Sequence, residues 1–171
     1  MYKFFLYFGI LFLTVTTIYY FYPEKRLPSN KTIDEIIVLK SKEEMYVYSK
    51  GELIKKYTIS IGLNPKGDKE YQGDNKTPEG IYSINDKKLM STCYKNLGIS
   101  YPNNEDKEYA RKLGKPVGGD IKIHGIKNGF GFVNKFHRFK NWTNGCIAVT
   151  NDEMEELYNS VKIGAKITIK P

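Results

Sequence analysis

Cysteine, histidine and tryptophan are scarce in this chain, whose 171 residues hold two cysteines, two histidines and one tryptophan. Two cysteines, Cys93 and Cys146, are too few for a disulfide framework. In an exported protein they could pair, but pairing would block the Cys146 thiol, so Cys93 is expected to be a small core or loop residue. With His124 and His137 they would offer four zinc ligands. No C-x-x-C or H-x3-5-H spacing links them, so neither metal nor cofactor is expected. Also missing are an RNP-like aromatic motif, a zinc finger and a helix-turn-helix signal. Nucleic acid is therefore not an expected partner, although 27 Lys and Arg against 19 Asp and Glu give a net charge of +8. Scattered lysines of this kind suit an anionic surface or a carboxylate-rich substrate, and equally a plain solvated face. No segment repeats internally.

Charge is absent from Phe4 to Tyr22, a run of 19 residues. As a helix this run spans ~28 Å, close to the ~30 Å hydrocarbon core of a bilayer. It ends in Ile18-Tyr19-Tyr20-Phe21-Tyr22-Pro23, with no small-residue cleavage site of the A-x-A kind. The closing aromatics resemble an interfacial belt. Residues 1–22 therefore read as an uncleaved membrane anchor rather than a cleaved signal, residues 23–33 as a proline-stiffened linker, and residues 34–171 as one domain. Positive charge flanks the run on both sides (Lys3; Lys25, Arg26 and Lys31), so the flanks do not decide orientation.

From Asp34 the pattern is that of strands. Residues 36–39 form a compact apolar run, residues 44–48 alternate, residues 49–52 have turn composition, and residues 53–61 return. Residues 62–80, with Gly62, Gly67, Gly73, Gly80, Pro65 and Pro78, read as a long loop, either functional or a mobile surface excursion. A strand resumes at residues 80–84, and residues 86–102 resist assignment. Asn104 is the expected N-cap of a short helix over residues 105–113. Residues 120–124 read as a strand with His124 at its tip. Thr150 and Glu153 have capping-box spacing, and Met154, Leu157, Tyr158 and Val161 follow as an inward helical stripe that Gly164 ends. The fold class is mainly β, with one or two short helices.

Chemistry concentrates in residues 123–151, which contain both histidines, the tryptophan and Cys146 in a Thr-Asn-Gly-Cys turn. A thiol is mostly protonated at neutral pH and becomes a useful nucleophile only beside a base or a positive charge. Imidazole supplies either. Cys146 is the expected nucleophile and His124 its base. Gly145 admits close approach of a carbonyl, and the Gly145 and Cys146 amides are expected to face an oxyanion. A backbone carbonyl near Gly125 is the expected orienter of the imidazole. Lys135, His137, Arg138 and Lys140 either grip substrate carboxylates, Arg138 by its planar fork, or form a solvated charge run.

Ile123-His124-Gly125, followed 22 residues after the histidine by Cys146 in TNGCIAVTNDEMEELY, resembles the L,D-transpeptidase catalytic domain (YkuD) family. The likeness is to the branch with the signature W-T-x-G-C-I-A-V-T-N. Upstream matches are Gly62 with Pro65, Lys69, Gly73-Asp74, residues 77–80, residues 99–102 and residues 118–121. The resemblance implies a YkuD-like β-sandwich or barrel in which Cys146 attacks a peptidoglycan stem peptide at the bond between an L-centre and D-alanine. His124 would act as base and Gly145 with Cys146 as the oxyanion turn. Tyr101, Arg138, Trp142, Thr143 and Asn144 are the expected substrate-binding residues, and the 62–80 loop shapes the cleft. Many relatives have Ser-His-Gly-Cys and an arginine two residues after the cysteine, where this chain has Asn144 and Ala148. The nearer branch often has aspartate at the place of Asn141.

Three functions follow as expectations. The first is a membrane-anchored transpeptidase of the cell envelope, its domain outside the cytoplasm, that forms a thioester with a peptidoglycan stem peptide and passes it to an amine. The second is an amidase or peptidase of the same family, with water resolving the same intermediate. The third is a catalytically silent wall-binding module.

Overall fold

Alternating apolar and polar residues set the strands, and the computed structural model describes residues 2–171; Met1, the first residue of the expected anchor, lies outside them. The strands are β1 (Ile33–Leu39), β2 (Glu44–Ser49), β3 (Glu52–Thr58), β4 (Gly80–Lys88), β5 (Asn96–Ile99), β6 (Lys122–His124), β7 (Ile147–Ala148) and β8 (Val161–Lys170). The helices are α1 (Tyr2–Phe21), α2 (Asn104–Lys112) and α3 (Asn151–Ser160), and residues 131–139 form an irregular 3-10 segment. The sheet runs β3-β2-β1-β8-β4-β5-β6-β7. It is mixed: β1 lies parallel to β8 and β6 parallel to β7, while the other neighbours are antiparallel.

The chain just past one edge strand meets the other edge. Past the end of β3, Ser60 exchanges both backbone hydrogen bonds with Ala148 of β7, N–H to O at 2.9 Å and O to N–H at 2.7 Å. The pairing continues through Thr143 N–H to Ile61 O at 3.2 Å and Leu63 N–H to Thr143 O at 2.9 Å. The sheet thus curls into a barrel-like shape with its seam beside Cys146, and the seam satisfies edge groups that would otherwise need water or a partner. Inward residues fill the interior: Ile36, Val47, Ile84, Leu97, Ile123 and Ile147 are all fully buried.

Side chains back the seam. Asn141 accepts from Ile61 N–H at 2.8 Å through Oδ1 and donates through Nδ2 to Glu43 Oε1 at 2.6 Å. Ser60 Oγ donates to the His137 carbonyl at 2.8 Å. With that proton committed, His137 Nδ1–H donates to Ser60 Oγ at 3.2 Å, in preference to accepting the longer 3.5 Å contact from Trp142 Nε1. His137 Nε2 is then buried without a partner among the described residues. Burial, seconded by Arg138 and His124, pushes the His137 pKa down to about 4.

The 62–80 loop is ordered rather than a mobile excursion. Lys69 and Asp74 form an ion pair at 2.7 Å with side chains 4% and 3% exposed. Asp74 also accepts from the amides of Glu70, Tyr71 and Lys76. Buried Lys40 holds the loop from outside, donating to Gly67 O at 2.5 Å, Thr77 O at 2.9 Å and Glu79 Oε1 at 2.8 Å. Paired this fully, the buried charges can offset their desolvation.

Several local expectations shift. The N-cap of α2 is Asn103, not Asn104, because Asp106 three residues on completes a capping box with it. Gly164 does not end a helix. α3 stops at Ser160, and Gly164 lies at φ +86° in a bulge of β8, where the register with β1 jumps from Ile33–Val161 to Glu35–Lys166. Residues 86–102 contain the end of β4 and all of β5. The capping box at Thr150 and Glu153 is present. The segment between α1 and β1 is fastened down: Leu27 is buried and its N–H donates to Glu156 at 3.2 Å. None of the 20 residues of α1 is buried, and its mean hydropathy of 1.8 makes it long and apolar enough to cross a membrane.

Two stability predictions follow from the seam. Asn141→Asp removes the donor to Glu43 and sets two carboxylates together. It should lower the unfolding free energy of the detergent-solubilised chain by roughly 1–3 kcal/mol in urea titrations at neutral pH. The folded-state pKa of His137, about 4, lies below its ordinary 6.5, so in acid the unfolded chain takes up a proton that the folded chain refuses. Stability should therefore fall as pH drops from about 6.5 to about 4, by roughly 1.4 kcal/mol per unit from this residue, and the slope should be shallower in His137→Gln.

Candidate active site

His124 and Cys146 come from neighbouring strands. Ile123 is opposite Ile147 and His124 opposite Ala148, which sets Cys146, at the entry to β7, beside Lys122. From strand spacings, the Cα atoms of His124 and Cys146 are about 8 Å apart, and strand alternation sends residues 146, 148 and 124 to one face. The thiol meets backbone: Cys146 Sγ lies 3.7 Å from Asp120 O, and the Lys122 amide donates to the sulfur. Asp120 is exposed and at φ +60°, a turn conformation that presents its carbonyl to the sulfur.

The imidazole is oriented by its own chain. His124 Nδ1 lies 2.7 Å from Gly125 O, a distance that makes Nδ1 the protonated nitrogen and leaves Nε2 as a free acceptor. The carbonyl is held because Gly125 is packed tightly. A β-carbon there would come within 2.8 Å of both Asn151 Oδ1 and Tyr94 O, so no other residue fits without displacing them. Asn151 Oδ1 in turn accepts from Ile126 N–H at 2.9 Å, tying the end of β6 to the start of α3. Trp142 covers the imidazole edge-to-face, with ring centroids 5.6 Å apart.

Burial governs the charge state. It pushes the His124 pKa below its ordinary value, against the opposing pull of the Gly125 hydrogen bond. It pushes the Cys146 thiol up, a shift that the Asp120 carboxylate assists and the Lys122 amide opposes. The residue nonetheless keeps partial solvent exposure. Both shifts favour a neutral thiol and a neutral imidazole over a thiolate–imidazolium ion pair.

The turn before Cys146 is rigid. Thr143 Oγ1 donates to Cys146 O at 2.7 Å and accepts from Gly145 N–H at 3.2 Å. Gly145 is at φ +125°, and a β-carbon there would lie 2.6 Å from Lys76 O of the 62–80 loop. Glycine is therefore required by the loop carbonyl behind the turn as well as by any carbonyl arriving in front of it. Of the two amides expected to face an oxyanion, one is engaged in this structure. The Gly145 amide is occupied by Thr143, and the Cys146 amide is the donor left without a backbone acceptor among the described residues.

The expected substrate-binding residues separate into two groups. Trp142, Thr143 and Asn144 are in the turn itself, with Asn144 exposed at its tip. Tyr101 is 5% exposed and its hydroxyl donates to Val117 O at 3.0 Å, so it braces a loop and does not offer a free group. Arg138 does not grip a ligand either. Its guanidinium donates to Glu24 at 2.9 Å and to Glu153 at 2.8 Å, which raises its pKa and closes both ends of the fork. Lys135 points to the carbonyls of Tyr19 and Tyr22. Cys93 is a free thiol paired across an isolated bridge with Lys127. Among the described residues, no group of three or more His, Cys, Asp or Glu is arranged to hold a metal ion.

Sequence reasoning missed the backbone around the sulfur (Asp120 O and the Lys122 amide) and the roles of Asn151 and Ser60. Asn151 had a visible signal, since it closes the Thr-Asn pair after Cys146. The backbone contacts had none.

The Escherichia coli K12 protein YafK is 30% identical over 112 residues, covering 64% of this chain and 38% of that one. The chain thus spans well under half the length of the curated relatives it matches. The helical cell shape determining protein Pgp2 of Campylobacter jejuni superposes with a TM-score of 0.60 at 26% identity, over 82% of this chain and 48% of that one. Bd1075 of Bdellovibrio bacteriovorus shares the fold, with a TM-score of 0.57 at 23% identity, over 84% of this chain and 49% of that one. The family model for the L,D-transpeptidase catalytic domain (YkuD) matches residues 33–169, from the first residue of β1 to within one residue of the end of β8, and the chain belongs to that family.

Proposed function

We propose that this protein is a membrane-anchored L,D-transpeptidase of the cell envelope that acts on peptidoglycan stem peptides through Cys146 and His124. The observation that carries this reading is the 2.7 Å contact of His124 Nδ1 with Gly125 O, which leaves Nε2 unprotonated on the face shared with the partly exposed thiol. Because thiol and imidazole are both neutral at rest, the proton moves as the bond forms. His124 Nε2 takes the Sγ proton while sulfur attacks the carbonyl that joins an L-centre to D-alanine. The Cys146 amide, joined by that of Gly145 once Thr143 releases it, donates to the oxyanion, at about 2.7–4 kcal/mol per donor. Collapse of the tetrahedral intermediate breaks the C–N bond, and the D-alanine amine leaves with the proton from His124. An acceptor amine, deprotonated by the same nitrogen, then attacks the thioester and releases the thiol. Water in place of the amine gives hydrolysis by the same residues; the two outcomes differ only in the nucleophile that reaches the thioester.

Substrate access runs past Asn144 at the tip of the turn and beneath Trp142. The ordered 62–80 loop supports this cleft from behind through Lys76 O. α1 would hold the domain on the outer face of the cytoplasmic membrane, where stem peptides are found.

Two experiments test the proposal. With carbapenem or iodoacetamide and mass spectrometry, the adduct should form at Cys146 and not at Cys93, and alkylation should speed up roughly tenfold per pH unit through the neutral range, since the thiol titrates above its usual ~8.5. A flat profile from pH 6 to pH 8 would mean a resting ion pair instead. With purified muropeptides, the chain should give new dimers or exchange D-amino acids; stems that are only shortened would assign it as a hydrolase, and no turnover would leave a silent module. Cys146→Ser should abolish turnover with the fold intact, His124→Ala should lower it by about 10²–10⁴-fold, and Cys93→Ser should keep it.

A further inference from the structure

Residues 130–139 carry an aromatic surface that neither the core nor the proposed cleft uses. Phe130, Phe132 and Phe139 are 51%, 70% and 71% exposed. They fall in two pairs, Phe130 stacked on Phe132 with centroids 6.2 Å apart and Phe139 against Phe136 at 5.7 Å, and Tyr20 of α1 touches both, through the Phe136 ring and Phe132 O. Exposed phenylalanines grouped in this way mark an interaction surface, because single exposed apolar residues are common and clusters are not.

What covers the patch is indicated by its neighbour. The last turn of α1 docks directly on it. Tyr19 stacks on Phe139 at 5.5 Å and on Phe136 at 6.0 Å, Tyr20 packs on Phe136 at 5.5 Å, and the Tyr20 hydroxyl donates to Phe132 O at 2.9 Å. Lys135 donates to the carbonyls of Tyr19 and Tyr22 that the helix end leaves free, and Arg138 pairs with Glu24 just beyond it. These contacts fix the patch at the level where the apolar helix ends. In a helix that spans a bilayer, that level is the headgroup region, the depth at which aromatic rings are most favourable. Exposed cations surround the same region: Lys25 and Arg26 at the helix exit, Lys127 with its ammonium 5.9 Å from the Phe130 ring centre, and Lys140 after Phe139. Aromatic rings rimmed by lysine and arginine match an interface with anionic headgroups.

We infer that Phe130, Phe132 and Phe139 insert into the headgroup region of an anionic bilayer and seat the catalytic domain on the membrane in one fixed orientation. The inference rests on the reading of α1 as an anchor and goes beyond it, since an anchor alone says nothing of which face of the domain meets the lipid. Cys146 follows the seated segment by only seven residues from Phe139, so the seat also fixes the height and direction of the cleft relative to the lipid surface.

The test uses the full chain in phosphatidylethanolamine–phosphatidylglycerol vesicles, at less than one chain per vesicle so that no second copy can cover the patch. Acyl chains brominated near the headgroup serve as quencher. Phe132→Trp and Phe139→Trp, each combined with Trp142→Phe, provide a single fluorophore on the patch, and Ile81→Trp in the same background provides one on β4, where Ile81 is 65% exposed. The patch probes should emit to the blue of the Ile81→Trp probe and lose intensity to the brominated lipid, while the β4 probe should do neither. If carbonate leaves the chain in the vesicles but the patch probes emit as in water, the seat is wrong and the anchor stands. If the β4 probe is quenched equally, no particular face is seated and the inference falls. If carbonate strips the chain from the vesicles, anchor and seat fall together. Circular dichroism matching the parent chain confirms that each variant is folded.

Discussion

Everything in the domain is arranged around one pair of backbone hydrogen bonds, those between Ser60 and Ala148. An eight-stranded sheet of this order has two edges, and each edge is a row of unpaired amides and carbonyls. The bridge from Ser60 covers part of the β7 edge and places the two-residue β7 between β6 and the chain that follows β3. The site inherits its position from that closure. The thiol precedes Ala148 by two residues, and the imidazole is opposite Ala148 on the other side. Cys146 and His124, on adjacent strands next to the seam, have little freedom to drift apart, which is the pre-organisation that the proposed acyl transfer would need.

Closure has a cost, which falls on the 62–80 loop. Ordering its backbone opposes folding by roughly 1–2 kcal/mol per residue. The buried Lys69–Asp74 pair, with the Asp74 carboxylate accepting three amides and Lys40 reaching in from the end of β1, supplies compensating contacts where apolar packing is thin. The loop then does a second job. Its Lys76 carbonyl occupies the space where a side chain at residue 145 would go, so the loop and the turn before Cys146 hold each other in shape.

Much of this was legible in the sequence because it depends on local chemistry. A compact apolar run marked β1, alternation marked β2, β-branched and aromatic residues marked β3, and the Thr150–Glu153 spacing located the start of α3; the Thr-Asn-Gly-Cys turn and the distant histidine do meet, on neighbouring strands. Long-range pairing was not legible. Nothing in residues 96–99 announces a fully buried four-residue strand, since Asn96-Leu97-Gly98-Ile99 has weak β propensity and is held there by neighbours on both sides. Gly164 looked like a helix stop because a bulge and a C-cap make the same demand on φ. Arg138 looked like a carboxylate binder, and it is one, but the carboxylates belong to Glu24 and Glu153 of its own chain. Charge type is readable from sequence; the partner that satisfies it is a tertiary fact.

That internal use of Arg138 and Lys135 also changes what the segment from residue 131 to residue 146 does. At its start, it grips the end of α1 and the linker through Lys135, Phe136 and Arg138. At its end, it delivers Trp142 over His124 and the rigid Thr143 turn under Cys146. Between them, His137 hydrogen-bonds Ser60 and Asn141 holds Ile61, so the same stretch is sewn to the seam. Helix end, seam and Cys146 are therefore successive attachments of one short piece of chain. The neutral, partly desolvated state of the thiol and imidazole depends on how closely that piece is packed: loosening it would hydrate both groups and shift their pKa values back toward those of free side chains.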